Sequence, residues 1–219
     1  MLRALHVACL LVFLSAFVQS QTNQEQATVT FTLDFPGSRP GHYSVKVQAD
    51  GKARYESRGR PAPESDESDD FDYEFAISPV TRGKIFDLSA KAGYFQKNLD
   101  SRRKNMAFTG KKTLGYKDSQ RSGEFSYNYS PDNAVQELTS LFQGLSATLE
   151  LGHRLEYSLR YQKLALAEEL KRTEESARLN PPVEIQAIAP ILKQIIADSS
   201  VMNVTRARAQ RLLEHSAGR

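Results

Sequence analysis

Cysteine is all but absent from this chain: among 219 residues there is one, Cys9. A chain that sheds its first twenty residues keeps no thiol at all, which excludes disulfides, thiolate catalysis and cysteine-bound metal. The same absence argues against a small disulfide-stapled extracellular module and suits a bacterial periplasmic or secreted protein. Long apolar runs are equally scarce. One exists, Val7 to Val18, and nothing after it approaches the ~20 residues that a spanning helix needs. No nucleophile elbow, phosphate loop or dinucleotide fingerprint occurs. The closest calcium-like stretch, Asp66-Glu67-Ser68-Asp69-Asp70, lacks the central glycine and distal glutamate and reads as a solvated acidic loop. His42, His153 and His215 fall in separate elements without paired ligand spacing. No catalytic residue, metal site or cofactor is therefore predicted.

What stands at the front is the layout of an export signal. Met1-Leu2-Arg3 supplies a positive start, Val7 to Val18 an apolar stretch, and Gln19-Ser20-Gln21 a polar exit. Val18 and Ser20 precede Gln21 at the positions where small side chains fit a signal peptidase. This order predicts a signal peptide over residues 1–20, cleaved after Ser20, and a periplasmic or secreted protein. His6-Val7-Ala8 ahead of Cys9, with the apolar run following it, does not match a lipoprotein signal.

Removal of Arg3 lowers the formal charge from +3 to +2, too near neutral to drive binding to nucleic acid or anionic membrane. The distribution is less even. Glu64 to Glu74 holds seven acids and no base, whereas Lys91 to Arg121 holds nine bases against Asp100 and Asp118.

Ala27, Val29, Phe31, Leu33 and Phe35 alternate with polar residues, the period of a strand with one buried face. Tyr43, Val45 and Val47 resume that period, and Ala53 and Tyr55 continue it beyond Ala49-Asp50-Gly51. A three-residue loop with Gly51 at positive φ pairs Val47 with Ala53 and Val45 with Tyr55, whereas a two-residue turn would put Arg54 in the apolar row. Phe71, Tyr73, Phe75 and Ile77 form a further strand. Ser78-Pro79 then starts a helix to about Ala92 that buries Val80, Phe86 and Leu88 or Ile85. Residues 105–129 read as a three-strand meander: Met106 and Phe108, then Leu114 and Tyr116, then Phe125, Tyr127 and Tyr129. Its second loop sets Tyr116 opposite Phe125.

Ser130-Pro131 opens a helical tail. Val135, Leu138, Phe142, Leu145 and Leu149 make one stripe, and Gly152 offers a bend before Leu155, Leu159, Leu166 and Leu170. Glu156–Arg160, Glu168–Arg172 and Glu174–Arg178 are favourable helix-neighbour pairs on solvated faces. Asn180-Pro181-Pro182 ends the run, Pro190 bends or splits the next, and a last helix over 201–216 is basic on its outer side through Arg206, Arg208 and Arg211.

Two surfaces invite a functional reading. Arg102, Arg103, Lys104, Lys111 and Lys112 interleave with aromatics and could form an anion-binding sheet face for polysaccharide, lipid headgroup or peptidoglycan. The competing readings are a solvated, edge-protecting lysine face and a basic meander covered by the acidic 64–74 segment. On the long helix Tyr157, Tyr161 and Leu164 project opposite the leucine stripe, so this helix is either sandwiched between layers or meets a partner, such as a second copy of the chain.

The predicted fold is α+β: an antiparallel sheet of about six or seven strands with one internal helix, followed by a C-terminal all-helical segment packed on or beside it. Residues 21–130 make the sheet and helix, and 131–219 the helical region. Phe35-Pro36-Gly37 through His42-Tyr43, with Ala49-Asp50-Gly51 to Tyr55, resembles stretches of uncharacterised secreted bacterial proteins of the acidobacterial type. That resemblance carries no chemical motif and implies only an exported protein without assigned activity. The function expected is a non-enzymatic binding or interaction protein, its partner an anionic polysaccharide or another protein. The alternative is a hydrolase of envelope or extracellular polymer with His42 or His153 as base.

Overall fold

The computed structural model describes residues 26–59, 68–103, 105–177 and 179–217. The expected leader and its cut after Ser20, the acids Glu64, Asp66 and Glu67, and the bases Lys104 and Arg178 lie outside the described residues. Six strands, β1 (Thr28–Asp34), β2 (His42–Gln48), β3 (Lys52–Arg58), β4 (Phe71–Ala76), β5 (Lys111–Lys117) and β6 (Ser122–Tyr127), form one antiparallel sheet. Its spatial order is β4-β3-β2-β1-β5-β6. Helix α1 (Pro79–Lys91) carries the chain from the β4 edge towards β5, and α2 (Asn133–Tyr161), α3 (Lys163–Ala177), α4 (Ala189–Ala197) and α5 (Asn203–Ala217) follow β6. The fold is α+β.

The period-two alternation becomes a continuous apolar row. Phe125, Leu114, Phe31, Val45, Tyr55 and Tyr73 stand opposite one another across all six strands. The first hairpin has the expected register, Val47 opposite Ala53 and Val45 opposite Tyr55, with Gly51 at φ 94°. The opposite sheet face is polar, through Thr28, Thr30, Thr32, Lys46, Arg54 and Thr113.

The second half of the sheet differs from expectation in two ways. Met106 and Phe108 belong to an irregular segment and not to a strand, and Phe108 is exposed. Leu114, not Tyr116, faces Phe125, a shift of two residues that leaves the apolar parity intact. The cause is the Asp118 carboxylate, which accepts from the N–H groups of Gln120 and Arg121 at 2.7 and 2.6 Å and closes the loop over 118–121.

Helix starts show the same competition for side chains. Ser78 caps α1 as expected, accepting from Thr81 N–H at 3.2 Å with Pro79 in the first turn. Ser130 does not cap α2, because its hydroxyl donates to Leu99 O at 2.6 Å; Asp132 caps instead. Val80 is 79% exposed, and α1 buries Ile85 and Leu88. Gly152 does not bend α2, which runs unbroken to Tyr161 and breaks at Gln162.

Helix α2 decides where everything else sits, because it crosses the whole sheet. Thr139 meets the Tyr127 hydroxyl on β6 at 2.6 Å, and the Phe142 ring stacks on Phe31 of β1 with centroids 5.2 Å apart. Ser146 and Glu150 bond the Tyr55 hydroxyl of β3 at 2.9 and 2.7 Å, and His153 stacks on Phe71 of β4. From Thr139 to His153 is about 21 Å of helix, against about 24 Å for five strand spacings. Burial pushes the hydroxyls of Tyr43, Tyr55 and Tyr127 well up, so they stay neutral in the core.

The later helices pack on α2 and on one another, with Leu166, Leu170, Leu192, Ile195 and Ala209 buried in the same core as the sheet. Pro190 stands in the first turn of α4, after a 3-10 turn at Ile185–Ile188. Arg208 and Arg211 do not make an outer basic face on α5: both bond Glu174 of α3, at 3.3 and 2.5 Å. No helix among the described residues is long and apolar enough to cross a membrane.

Candidate functional site

A wide cleft lies in the helical tail, where α3, the 181–186 segment and α5 meet the start of α1. It encloses about 770 Å³. Val80, Ala177, Pro181, Pro182, Val183 and Leu212 give it apolar walls, and Ser78, Thr81, Glu174, Glu184 and Arg211 supply polar groups. Three local causes shape it. Pro181 and Pro182 cannot continue α3, so the chain turns away and opens a gap. Glu184 then takes a left-handed backbone, φ 55°, unusual for a residue with a Cβ. Its carboxylate reaches the α1 start, accepting from Ser78 N–H at 3.0 Å and from the Ser78 hydroxyl at 2.5 Å. That interaction places an anion at a helix N-terminus, where the exposed N–H groups favour it.

Charge on the α5 side is internally matched. The Arg211 guanidinium, with Arg208 behind it, holds the Glu174 carboxyl below its ordinary range, and Glu174 raises Arg211 in turn. The cleft thus offers apolar area with fixed polar groups at its margins, the usual make-up of a small-ligand pocket. None of its residues stood out in the sequence as chemistry. Their convergence depends on contacts such as Ser78–Glu184, 106 positions apart.

A second, smaller hollow of about 110 Å³ lies at the β4 edge, between Phe71 and Tyr73 and the helices α2 and α4. His153 lines it, its ring 4.3 Å from Phe71 and its Nε2 3.1 Å from Asp69 Oδ1. An imidazole held by a carboxylate can take up and release a proton. Tyr73, the hydroxyl in its lining, already donates to Ala187 O at 2.8 Å. His42 has a similar partner in Asp34, Nδ1 to Oδ1 2.5 Å, beside the open sheet face. The His215 side chain lies outside the described residues. No group of three or more metal-ligating side chains occurs among the described residues.

The expected anion-binding residues occupy different environments. Arg102 and Arg103 are exposed on the irregular connection to β5, and Lys111 is exposed on the open sheet face. Lys112 points into the protein, 5% exposed, with Nζ donating to Thr109 Oγ1 and Asn128 O at 3.0 Å and to Thr109 O at 3.2 Å. Burial lowers its pKa. It sits two residues before Leu114 and so shares its inward parity. A polymer on the open face therefore cannot meet that ammonium. The described acids of the 64–74 segment do not cover the basic stretch either: Asp72 binds Arg54 at 2.5 Å and Asp70 lies 3.8 Å from Arg58. Four strand spacings, about 19 Å, separate β4 from β5.

Tyr157, Tyr161 and Leu164 are 54%, 65% and 83% exposed, and the two tyrosine rings lie 5.1 Å apart. The C-terminal helices leave them uncovered. Compared with known protein families and with curated proteins, the chain matches none.

Proposed function

We propose that this chain is an exported, non-enzymatic binding protein whose ligand site is the cleft between α1 and the helical tail. The export signal over residues 1–20 supports the location. The observation that carries the binding reading is the cleft itself: about 770 Å³, apolar walls, and a polar margin pinned by Glu184 in a strained backbone. Its form fits a small amphipathic molecule, apolar body against Val183 and Leu212 and polar head towards Ser78 and Glu174.

The experiment is a heteronuclear NMR titration of residues 21–219 with a panel of small amphipathic acids, amines and alcohols. Shifts should cluster at Thr81, Ala177, Val183 and Leu212, and Val80→Trp, at a cleft wall position that is 79% exposed, should abolish them without lowering the Tm. An absence of shifts there rejects the reading. Shifts confined to His153 and Asp69 would favour the second reading, a hydrolase of envelope or extracellular polymer in which that pair acts as general base. Contact with another protein is proposed at Tyr157, Tyr161 and Leu164, whose exposed apolar area favours a partner over solvent.

A further inference from the structure

The sheet ends in two edge strands, β6 and β4. Next to β6, Ser101 N donates to Tyr129 O at 2.9 Å past the strand's end, and the Phe95 ring packs 6.0 Å from that of Phe125 on the buried face. At the other edge β4 pairs with β3 and with no further strand among the described residues. The direction of its free backbone groups follows from the hydrogen bonds at its ends. Asp69 N donates to Gly59 O at 3.0 Å and Ile77 N to Gly51 O at 2.9 Å. Main-chain groups alternate sides along an antiparallel strand. Odd-numbered residues therefore bond β3, and the N–H and C=O groups of Asp72, Glu74 and Ala76 point away from the sheet.

A roof already extends over the space beside them. The stripe of α2 that meets the sheet runs through Phe142, Ser146, Glu150 and His153, in steps of three and four. The same steps lead on to Tyr157 and Tyr161, about 12 Å of helix past His153, a width of about two strand spacings. Beyond β4 the described residues place no further strand, and both tyrosines are exposed. The hollow of about 110 Å³ lies beside Phe71 and Tyr73, and its α2 lining runs through His153 to Glu156, the residue before Tyr157.

Charge chooses the occupant. The open face of the outermost strand and its approach carry Asp70, Asp72 and Glu74. Arg54 of β3 pairs with Asp72, Glu74 and Glu56, and Arg58 lies 3.8 Å from Asp70. These four acids face two bases, so the edge keeps an excess of negative charge. A second copy pairing β4 against β4 would set acid beside acid.

We propose that β4 receives a seventh strand from a partner protein: an extended segment in which lysine or arginine alternates with apolar residues. Its main chain bonds the outward groups of Asp72, Glu74 and Ala76, and its bases lie beside the acids. Its apolar side chains enter the hollow and pack under Tyr157. This is strand addition at a sheet edge, and it stands whether or not the tail cleft binds a ligand.

The probe is a fluorescent alternating Lys-Val peptide titrated into residues 21–219, followed by anisotropy. Saturable binding is expected. N-methylation of alternate amides along one peptide edge should weaken it at least about tenfold. Glu74→Pro removes an outward N–H and no bond to β3, so it should weaken binding similarly with an unchanged Tm. A D72K/E74K variant should prefer a Glu-Val peptide. No saturable binding, or binding indifferent to N-methylation, overturns the proposal. So does a dimer in light scattering whose β4 amides are protected from exchange, which would make the occupant a second copy. Should Glu74→Pro fail to fold, the N-methylated peptide decides alone.

Discussion

Gly152 of α2 and Ile188 lie so close that no methyl group fits between them: a Cβ on Gly152 would stand 2.5 Å from Ile188 Cγ2. This contact docks the 3-10 turn before α4 against the long helix. Helix propensity alone would favour alanine at 152 by about 1 kcal/mol, and overpacking opposes it by about 1–3 kcal/mol. We expect G152A to be less stable in urea unfolding. Combined with I188A it should lose less than the two single variants together, because the smaller side chain makes room.

Lys112 is a buried ammonium among neutral oxygens, those of Thr109 and Asn128 within 3.2 Å. Lys112→Met keeps much of its volume and removes the donors, so the carbonyls lose their partner at about 1–3 kcal/mol. The loss should appear in the unfolding midpoint, and amides of residues 107–110 should exchange faster. Lys111→Met, on the open face, should change stability by no more than about 0.5 kcal/mol.

Two carboxylates make the fold sensitive to acid. The Gln120 N–H, with the Tyr116 hydroxyl and Arg121, holds Asp118 down from 3.8 to about 2. The Ser200 hydroxyl and Lys163 do the same for Asp198, also to about 2. Groups with lowered folded pKa contribute stability above the unfolded value and lose it as pH falls through the folded one. The Tm should therefore drop between pH 3.8 and about 2, and a D118N/D198N variant should show a flatter Tm–pH curve in that window. An equally steep curve in the double variant would assign the acid transition to other groups.

The proposed maturation is open to direct measurement. Expressed from its own first codon in a bacterial host, the protein should be recovered from the periplasm or medium with Gln21 as its first residue, by intact mass. Placing Arg at 18, where the peptidase needs a small side chain, should block the cut.

The elements legible in the sequence were those set by local periodicity and turn chemistry. Val29-Phe31-Leu33, the Ala49-Asp50-Gly51 bulge and the Ser78-Pro79 helix start all form as their residues dictate. Errors arose where a side chain had a choice. Ser130 bonds Leu99 and leaves the α2 cap to Asp132, and Asp118 tightens its loop and moves the β5–β6 register by two residues. The aromatic faces of α2 were readable, but not that its last turns outrun the sheet.

Patterns of two and three to four residues sufficed by themselves to assign strands, helices and the face each buries, because burial acts on every residue through its nearest neighbours in the chain. They also established the α+β layering. Only the tertiary structure decided which distant side chains share a site: Ser78 with Glu184, Asp69 with His153, and β4 with the overhang of α2. Such meetings depend on strand order and on the angle at which a helix crosses a sheet, and these follow from the packing of the whole core at once.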